Sequence, residues 1–368
     1  VRTSPKARGM WTYHPDLLAT PVPRYTSYPT AAEFGALGTH DYRQALETVS
    51  GDVSLYLHIP FCEKICFYCG CNTSRANRRQ RLESYLAALH AEIASVAREL
   101  PADIRVGRVS FGGGSPNAIS PDDFRMLYAA LEQHFSLNDP VLSIELDPRT
   151  MTEEWAQTVG ALGITRASLG VQTFADHCQQ AIGRVQSEDC IVQSVDWLRD
   201  AGVASLNFDL MYGLPGQSLH DLEDSLQRTR VLGADRIALF GYAHVPHVIP
   251  RQRAIDDSDM PDQAERFAMA SLGFAYLVTH GYMPVGFDHF ARAGGDPLGY
   301  LLALAKRKGR AKRAIRVHAW INSFALARNR EAPILKELGH EAVLRDQYGR
   351  SLLEYPRSGK PPWAKGFG

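Results

Sequence analysis

Four of the chain's six cysteines fall within ten positions, in the stretch HIPFCEKICFYCGCNTS at residues 58–74. Cys62, Cys66 and Cys69 have C-x3-C-x2-C spacing, and Cys71 comes two residues after Cys69. A structural zinc site usually draws a second ligand pair from elsewhere, and no such pair is evident here, so zinc is the less favoured alternative. Three thiolates on one loop favour an iron–sulfur cluster, which normally takes four cysteines; with three, one iron is left for an exogenous ligand.

The cysteine run lies between stretches that predict strands and helices. Short apolar runs predict strands at 54–59, 108–114, 141–147, 166–172, 204–210, 236–242 and 283–287. Amphipathic stretches predict helices from Leu82 to Leu100 and at 121–135, 152–162, 188–201, 218–232 and 262–280. Several strands are almost continuously apolar, as in a parallel sheet that is buried on both faces. We therefore predict an α/β fold, a partial (βα)6 barrel of parallel strands.

In such a barrel the loops after the strands carry the chemistry. This rule places the glycines of GGGSP (112–116), Glu145, Asp147, Gln172 and Asp209 at one mouth. Glycines let the backbone approach a ligand closely, although a simple tight turn would use them too. Glu145 is able to accept hydrogen bonds from a ligand, or it is a solvated charge at a strand end.

The motif and its position after the first strand resemble the radical S-adenosylmethionine (SAM) superfamily, and Tyr68 and the glycine loop strengthen the likeness. Further stretches, among them PRYTSYPTAAEF, FGGGSP, IELDPR, LGVQTF, NFDLMYGLPGQ, YAHVPH and GFDHFAR, resemble the oxygen-independent coproporphyrinogen III oxidases over residues 20–293. Cys71 is a mark of that family and is expected not to be a ligand. Related haem chaperones share the three ligands but lack Cys71 and the PRYTSYPT lead; they remain the alternative.

The resemblance implies a reaction and its site. The reaction converts two propionates of coproporphyrinogen III to vinyl groups, giving protoporphyrinogen IX in haem biosynthesis, with a 5′-deoxyadenosyl radical made from SAM. A [4Fe-4S] cluster on Cys62, Cys66 and Cys69 and two SAM molecules are implied. The SAM residues carried over by motif are Tyr56, Gly112 and Glu145 for one molecule, and Tyr68, Gly113, Gly114, Gln172, Arg184, Asp209 and Ala243 to complete the two sites. Arg184 alone would read as a surface or structural residue.

The partners and location follow from the same resemblance and from composition. The substrate's propionates require basic partners, with Arg24 and Arg149 as weaker candidates. We expect a low-potential electron donor such as flavodoxin or ferredoxin, and a monomer. No apolar run approaches the ~20 residues of a membrane span, and the start, VRTSPKARGMWTYHP, lacks the apolar core of a secretory signal. A cytoplasmic protein without membrane or nucleic-acid binding is therefore expected.

The resemblance ends near residue 293, where the composition changes. Overall net charge is zero, but from Gly294 to Gly368 Lys and Arg number 15 against 6 Asp and Glu. We predict an N-terminal extension at 1–50, a barrel domain at 51–293 and an atypical tail at 294–368. A frameshifted reading frame accounts for the tail and would leave a shortened, inactive oxidase; a genuine divergent tail is the alternative. The basic run KRKGRAKR (306–313) lacks the aromatic residues of a nucleic-acid site. Met10 is the expected start of the natural chain.

Overall fold

The structure is a computed structural model that describes residues 11–18, 36, 38–285 and 288–292. It divides into two compact units, Val1–Tyr282 and Met283–Gly368. Arg24, the proposed start at Met10 and the tail at 294–368 lie outside the described residues. The predicted domain boundaries therefore stay predictions.

The first unit is built on a parallel sheet. The strands that lie wholly within this unit are β1 (Asp52–Ile59), β2 (Phe61–Cys62), β3 (Ser74–Arg75), β4 (Arg105–Gly113), β5 (Leu137–Leu146), β6 (Arg166–Gln172), β7 (Ser205–Tyr212) and β8 (Arg236–Gly241). Six of them pair in parallel in the order β1-β4-β5-β6-β7-β8. Within the described ranges no strand covers the outer edge of β1. The predicted α/β fold is thus confirmed, with an open sheet of the partial-barrel type.

Helices connect these strands and lie close to the predicted stretches. They are α1 (Pro15–Leu18), α2 (Thr39–Glu47), α3 (Arg79–Glu99), α4 (Pro121–His134), α5 (Glu153–Ala161), α6 (Asp176–Ala181), α7 (Glu188–Asp200), α8 (Leu219–Val231) and α9 (Gln263–Thr279). Side-chain caps start α4, α7 and α8, where Ser120, Ser187 and Ser218 each accept a hydrogen bond from a backbone N–H three residues on. Asp262 does the same for α9.

The core explains why the strands hold the loops at fixed positions. Val109, Leu169 and Phe208 are fully buried, so the sheet is covered on its faces. An aromatic row ties β4 to α4 and α5, with ring centroids 4.8 Å apart for Phe111 and Phe124 and 5.1 Å apart for Phe124 and Trp155. Such packing fixes the strand ends and therefore the loops that follow them.

The second unit is described only at 283–285 and 288–292. Strand β9 (Tyr282–Pro284) begins at the last residue of the first unit, and β10 (His289–Arg292) lies within the second. The Val285 N–H donates to the His289 carbonyl at 2.8 Å. Of the predicted strand at 283–287, residues 286 and 287 lie outside the described residues. Among the described helices, none is long and apolar enough to cross a membrane.

Candidate active site

The cysteine loop leaves the end of β1 and is closed at its base. The Ser74 N–H donates to the Pro60 carbonyl at 2.9 Å, beside the short β2–β3 pairing. At its tip the Phe67 N–H donates to the Ile182 carbonyl at 3.0 Å, which ties the loop to the segment after α6. Backbone hydrogen bonds therefore hold the loop at its base and at its tip, as a preformed binding loop requires.

Each of the three predicted cluster cysteines has a different hydrogen-bond partner. The Cys62 sulfur lies 3.3 Å from the Thr73 hydroxyl, and burial is the main cause of a raised Cys62 pKa. The Cys69 sulfur receives a hydrogen bond from the Cys71 thiol, which is the main reason that the pKa of Cys69 falls to about 6. The third sulfur, that of Cys66, is contacted by two arginines. None of these cysteines is in a disulfide.

The two arginines share one carboxylate, that of Asp147. Nη2 of Arg149 lies 2.6 Å from Asp147 Oδ2, and Nη2 of Arg184 lies 3.1 Å from Oδ1. Both guanidinium groups also donate to Cys66 Sγ, at 3.5 Å from Arg149 and 3.4 Å from Arg184. All three charged side chains are only 7–8% exposed. Burial alone would raise the pKa of Asp147, but Arg184 and Arg149 together hold it below its usual value.

The glycine loop after β4 lies against a carboxylate at the end of β5. The Gly113 N–H donates to Glu145 Oε2 at 3.2 Å. A Cβ at Gly112 would lie 2.7 Å from the Glu145 carboxylate. Gly113 has φ +114°, and a Cβ there would lie 2.5 Å from the His58 ring. At Gly114 a Cβ would overlap the backbone of the cysteine loop. Gly113 therefore requires glycine for its conformation and Gly114 for space, whereas at Gly112 the Glu145 carboxylate would have to move. A simple tight turn does not explain this crowding.

Strand β1 contributes a tyrosine and a histidine to the same edge. The Tyr56 hydroxyl lies 3.2 Å from His58 Nδ1, and His58 Nε2 lies 3.1 Å from the Asn72 carbonyl. Partial burial, with Glu145 nearby, raises the pKa of Tyr56 to about 12. The pair thus links β1 to the cysteine loop, while Tyr56 keeps 57% of its surface exposed and open to a ligand. Desolvation also raises the pKa of Glu145.

Two more predicted residues lie on β6 and β7: Gln172 is the last residue of β6, and Asp209 lies three residues before the end of β7. Gln172 is 8% exposed and has φ +66°, which is rare for a residue with a side chain. Asp209 accepts hydrogen bonds from Ser168 at 3.0 Å and from Asn207 at 2.8 Å. Burial outweighs those bonds and raises the pKa of Asp209 to about 6.

The segment after β8 reaches back to the cysteine loop through one buried glutamine. Nε2 of Gln252 donates to the Tyr68 carbonyl at 3.0 Å and to the Ala243 carbonyl at 3.2 Å. Its Oε1 accepts from the Val245 N–H at 2.6 Å. The neighbouring Arg251 has a buried Nη1 without a hydrogen-bond partner among the described residues. Neither residue is indicated by the sequence alone, because PRQRA (250–254) is typical of an ordinary polar loop.

The comparisons with known proteins identify the family to which the chain belongs. Residues 56–229 match the profile of the radical SAM superfamily. The structure is similar to that of coproporphyrinogen III oxidase from Escherichia coli, described as a radical SAM enzyme, with a TM-score of 0.73 and 36% identity over 81% of this chain and 67% of that one. This chain belongs to the family of oxygen-independent coproporphyrinogen III oxidases. The family identification confirms the predicted resemblance.

Two relatives within this family show how much of it the chain covers. The oxygen-independent coproporphyrinogen III oxidase of Bradyrhizobium diazoefficiens is 42% identical over 74% of this chain and 61% of its own length. That of Cereibacter sphaeroides is 39% identical over 79% of this chain and 64% of its own length. The chain thus matches somewhat less than two thirds of the length of these oxidases.

The residues present fit the two cofactors of the family, a [4Fe-4S] cluster and SAM. Three thiols without disulfide partners lie on a closed loop, and each sulfur has a hydrogen-bond partner, as cluster sulfurs commonly have. Next to them Gly112–Gly114, which have no side chains of their own, pack closely against Glu145, His58 and the cysteine loop. That two SAM molecules bind stays a prediction.

Proposed function

We propose that the chain carries the cluster site and SAM site of an oxygen-independent coproporphyrinogen III oxidase. The observation that carries the proposal is the closed three-cysteine loop beside the Gly112–Gly114 edge in a member of this family. In the proposed reaction each of two propionates gives a β-hydrogen atom to a 5′-deoxyadenosyl radical, which becomes 5′-deoxyadenosine, and then loses CO2 and passes one electron to an electron acceptor. The products are two vinyl groups on protoporphyrinogen IX.

The residues take the following roles in this proposal. Cys62, Cys66 and Cys69 hold the cluster, and Cys71 donates to Cys69 without being a ligand. When bound, the reduced cluster supplies the electron that cleaves SAM to the 5′-deoxyadenosyl radical. The Gly112–Gly114 backbone receives the methionine end of SAM because it presents no side chain there.

The polar groups around this edge orient the cosubstrate. Glu145 and Tyr56 form hydrogen bonds with one SAM, since both side chains are exposed at this edge of the sheet. The remaining residues of the proposed SAM sites are Tyr68, Gln172, Arg184, Asp209 and Ala243. Asp209 is able to hold a proton in mildly acidic solution, because its pKa of about 6 lies above that of an exposed aspartate.

The carboxylates of the substrate need cationic partners. The contacts of the arginines favour a different candidate from the one expected from the sequence. Arg149 is committed to Asp147 and Cys66, so it is a poor candidate for a propionate. Arg251 is the better one, because a buried guanidinium N–H without a partner gains most from a carboxylate. Arg253, two residues on, is exposed and provides a matched control.

The experiment is anaerobic reconstitution of the full chain with iron and sulfide. We expect about four irons per chain, reductive cleavage of SAM to 5′-deoxyadenosine, and protoporphyrin fluorescence after oxidation of the product. Cys66→Ala is expected to abolish all three, and Cys190→Ser, on α7, to preserve them. Arg251→Gln should raise KM for coproporphyrinogen III more than Arg253→Gln does.

Each contrary result points to a different conclusion. Haem binding without SAM cleavage would favour the chaperone alternative. SAM cleavage without protoporphyrin would support a shortened, inactive oxidase. Absence of a cluster from the wild-type chain would refute the proposal as a whole. The electron donor, the monomeric state and the cytoplasmic location stay predictions, to be tested with reduced flavodoxin, by light scattering and by fractionation.

A further inference from the structure

Arg149 makes more contacts around the cysteine loop than a surface arginine would. Its Nε lies 3.0 Å from Asp147 Oδ1, and its Nη2 lies 2.6 Å from Asp147 Oδ2. The same Nη2 donates to the Lys64 carbonyl at 3.1 Å and to Cys66 Sγ at 3.5 Å. One guanidinium therefore joins the end of β5 to both the backbone and a sulfur of the loop.

We propose that Arg149 positions the Cys66 thiolate and makes the bound cluster easier to reduce. It acts with Asp147 and Arg184 as a charged bridge beneath the cysteine loop. The inference rests on the proposed function, because it assumes that Cys66 is a cluster ligand.

The charges of this bridge set the direction of the effect. Two guanidinium groups and one carboxylate carry a net positive charge beside Cys66, and all three are almost completely buried. Reduction adds a negative charge to an iron–sulfur cluster, and hydrogen bonds to its sulfurs favour the reduced state. Because the bridge is largely buried, water screens its charge much less than it would screen a charge at the surface.

The bridge is directed at one of the three ligands. Cys62 has the neutral Thr73 hydroxyl as its partner, and Cys69 has the neutral Cys71 thiol. Among the described residues, only the Cys66 sulfur has guanidinium donors at hydrogen-bond distance. Arg184 is also bound to the Gly170 carbonyl, at 3.1 Å from its Nε, so it is oriented by β6 as well. Arg149 has no such bond to β6 among the described residues, and its guanidinium group donates to Asp147, to the Lys64 carbonyl and to Cys66 Sγ.

The test measures the midpoint potential of the cluster in the reconstituted full chain. Electron paramagnetic resonance monitors the reduced cluster during a redox titration without substrate. In Arg149→Gln we expect the ratio of reduced to oxidised cluster at a fixed potential to fall at least tenfold, a shift of 59 mV to lower potential for one electron. Arg149→Lys keeps the charge but lacks the planar fork, so we expect a smaller shift in the same direction.

The matched control is Arg199→Gln. Arg199 also binds one aspartate, with Nη2 2.6 Å from Asp235 Oδ2, and two backbone carbonyls at 2.9 Å. Asp235 accepts the Leu206 N–H at the start of β7, which is the opposite end of the strands from the cysteine loop. The substitution removes a comparable set of bonds far from the cluster. At a fixed potential, we expect the ratio of reduced to oxidised cluster in Arg199→Gln to stay within twofold of the wild-type ratio.

An Arg149→Gln potential equal to that of the wild type, with the cluster intact, would overturn the inference. If that variant holds no cluster, Arg149→Lys decides in the same way. If neither holds a cluster although circular dichroism shows a folded chain, the residue is purely structural and the redox role is refuted. The iron content of the wild type tests the proposed function separately, because it does not depend on the comparison of potentials.

Discussion

Replacing Asp147 by Asn removes the carboxylate that both Arg149 and Arg184 bind. Two buried guanidinium groups would then lie side by side without a counter-charge. Breaking a buried ion pair by removing one partner costs about 3–5 kcal/mol, and the low end applies here since Asn still offers one oxygen. The exposed pair of Arg228 and Glu188, with side chains 39% and 45% exposed, should contribute only ~0–1 kcal/mol. Burial therefore decides which pair matters.

The assay is urea unfolding of the cluster-free protein from pH 7 to pH 3. Because the folded pKa of Asp147 lies below its unfolded value, its ionised form stabilises the fold above about pH 4. That contribution is lost as pH falls through the folded pKa. We therefore expect a loss of about 3 kcal/mol in Asp147→Asn at pH 7 that persists to about pH 4 and shrinks below it.

The control variant is Glu188→Gln, with an expected change of less than about 1 kcal/mol at pH 7. Equal effects of the two substitutions would refute the reasoning, because it derives the difference from burial alone. A pH-independent loss in Asp147→Asn would also contradict it. Such a loss would mean that the carboxyl shape matters and its charge does not.

Three further substitutions test other parts of the site. Gly113→Ala should cost at least about 1–3 kcal/mol of stability and abolish SAM binding by calorimetry, because φ is +114° and the new Cβ would lie 2.5 Å from the His58 ring; wild-type binding would contradict this. Cys71→Ala should leave iron content unchanged and raise the Cys69 pKa from about 6, measured by alkylation of the cluster-free protein across pH; a loss of iron would make Cys71 a ligand. Asp209→Asn should stabilise the protein by up to about 3 kcal/mol at pH 7 and by little at pH 4, because ionisation of a group with a folded pKa of about 6 costs stability as pH rises; equal gains at both pH values would refute it.

The sheet and its helices were accessible from the sequence because burial leaves a local pattern. The run RASLGVQ predicts 166–172, and β6 occupies those residues. The helix α8 begins at a capping box of Ser218 and Asp221, whose spacing is visible in the sequence. The short α6 was missed, since six residues are too few to show a helical period.

The site was only partly accessible, because the partners of a charged side chain depend on distant segments. The cysteine spacing is local and indicates the cluster loop. Nothing local shows that Arg149 binds residues 83 and 85 positions earlier instead of a propionate. The same holds for Gln252, whose partner Tyr68 lies 184 positions away. Such contacts follow from the fold and not from a motif.

In this sheet, strands that follow one another along the chain are mostly neighbours, and this order has a consequence for folding during synthesis on the ribosome. Since β4 pairs with β1 and each strand from β5 to β8 pairs with the strand made just before it, the sheet is able to grow as the ribosome releases the chain. The cysteine loop is made first, but Cys66 lies 118 positions before Arg184 and so waits for its second guanidinium donor. Until β6 and the segment after it emerge, the nascent loop lacks the contact between Arg184 and Cys66. The order of synthesis thus delays the finished metal-binding environment until half of the chain has been translated.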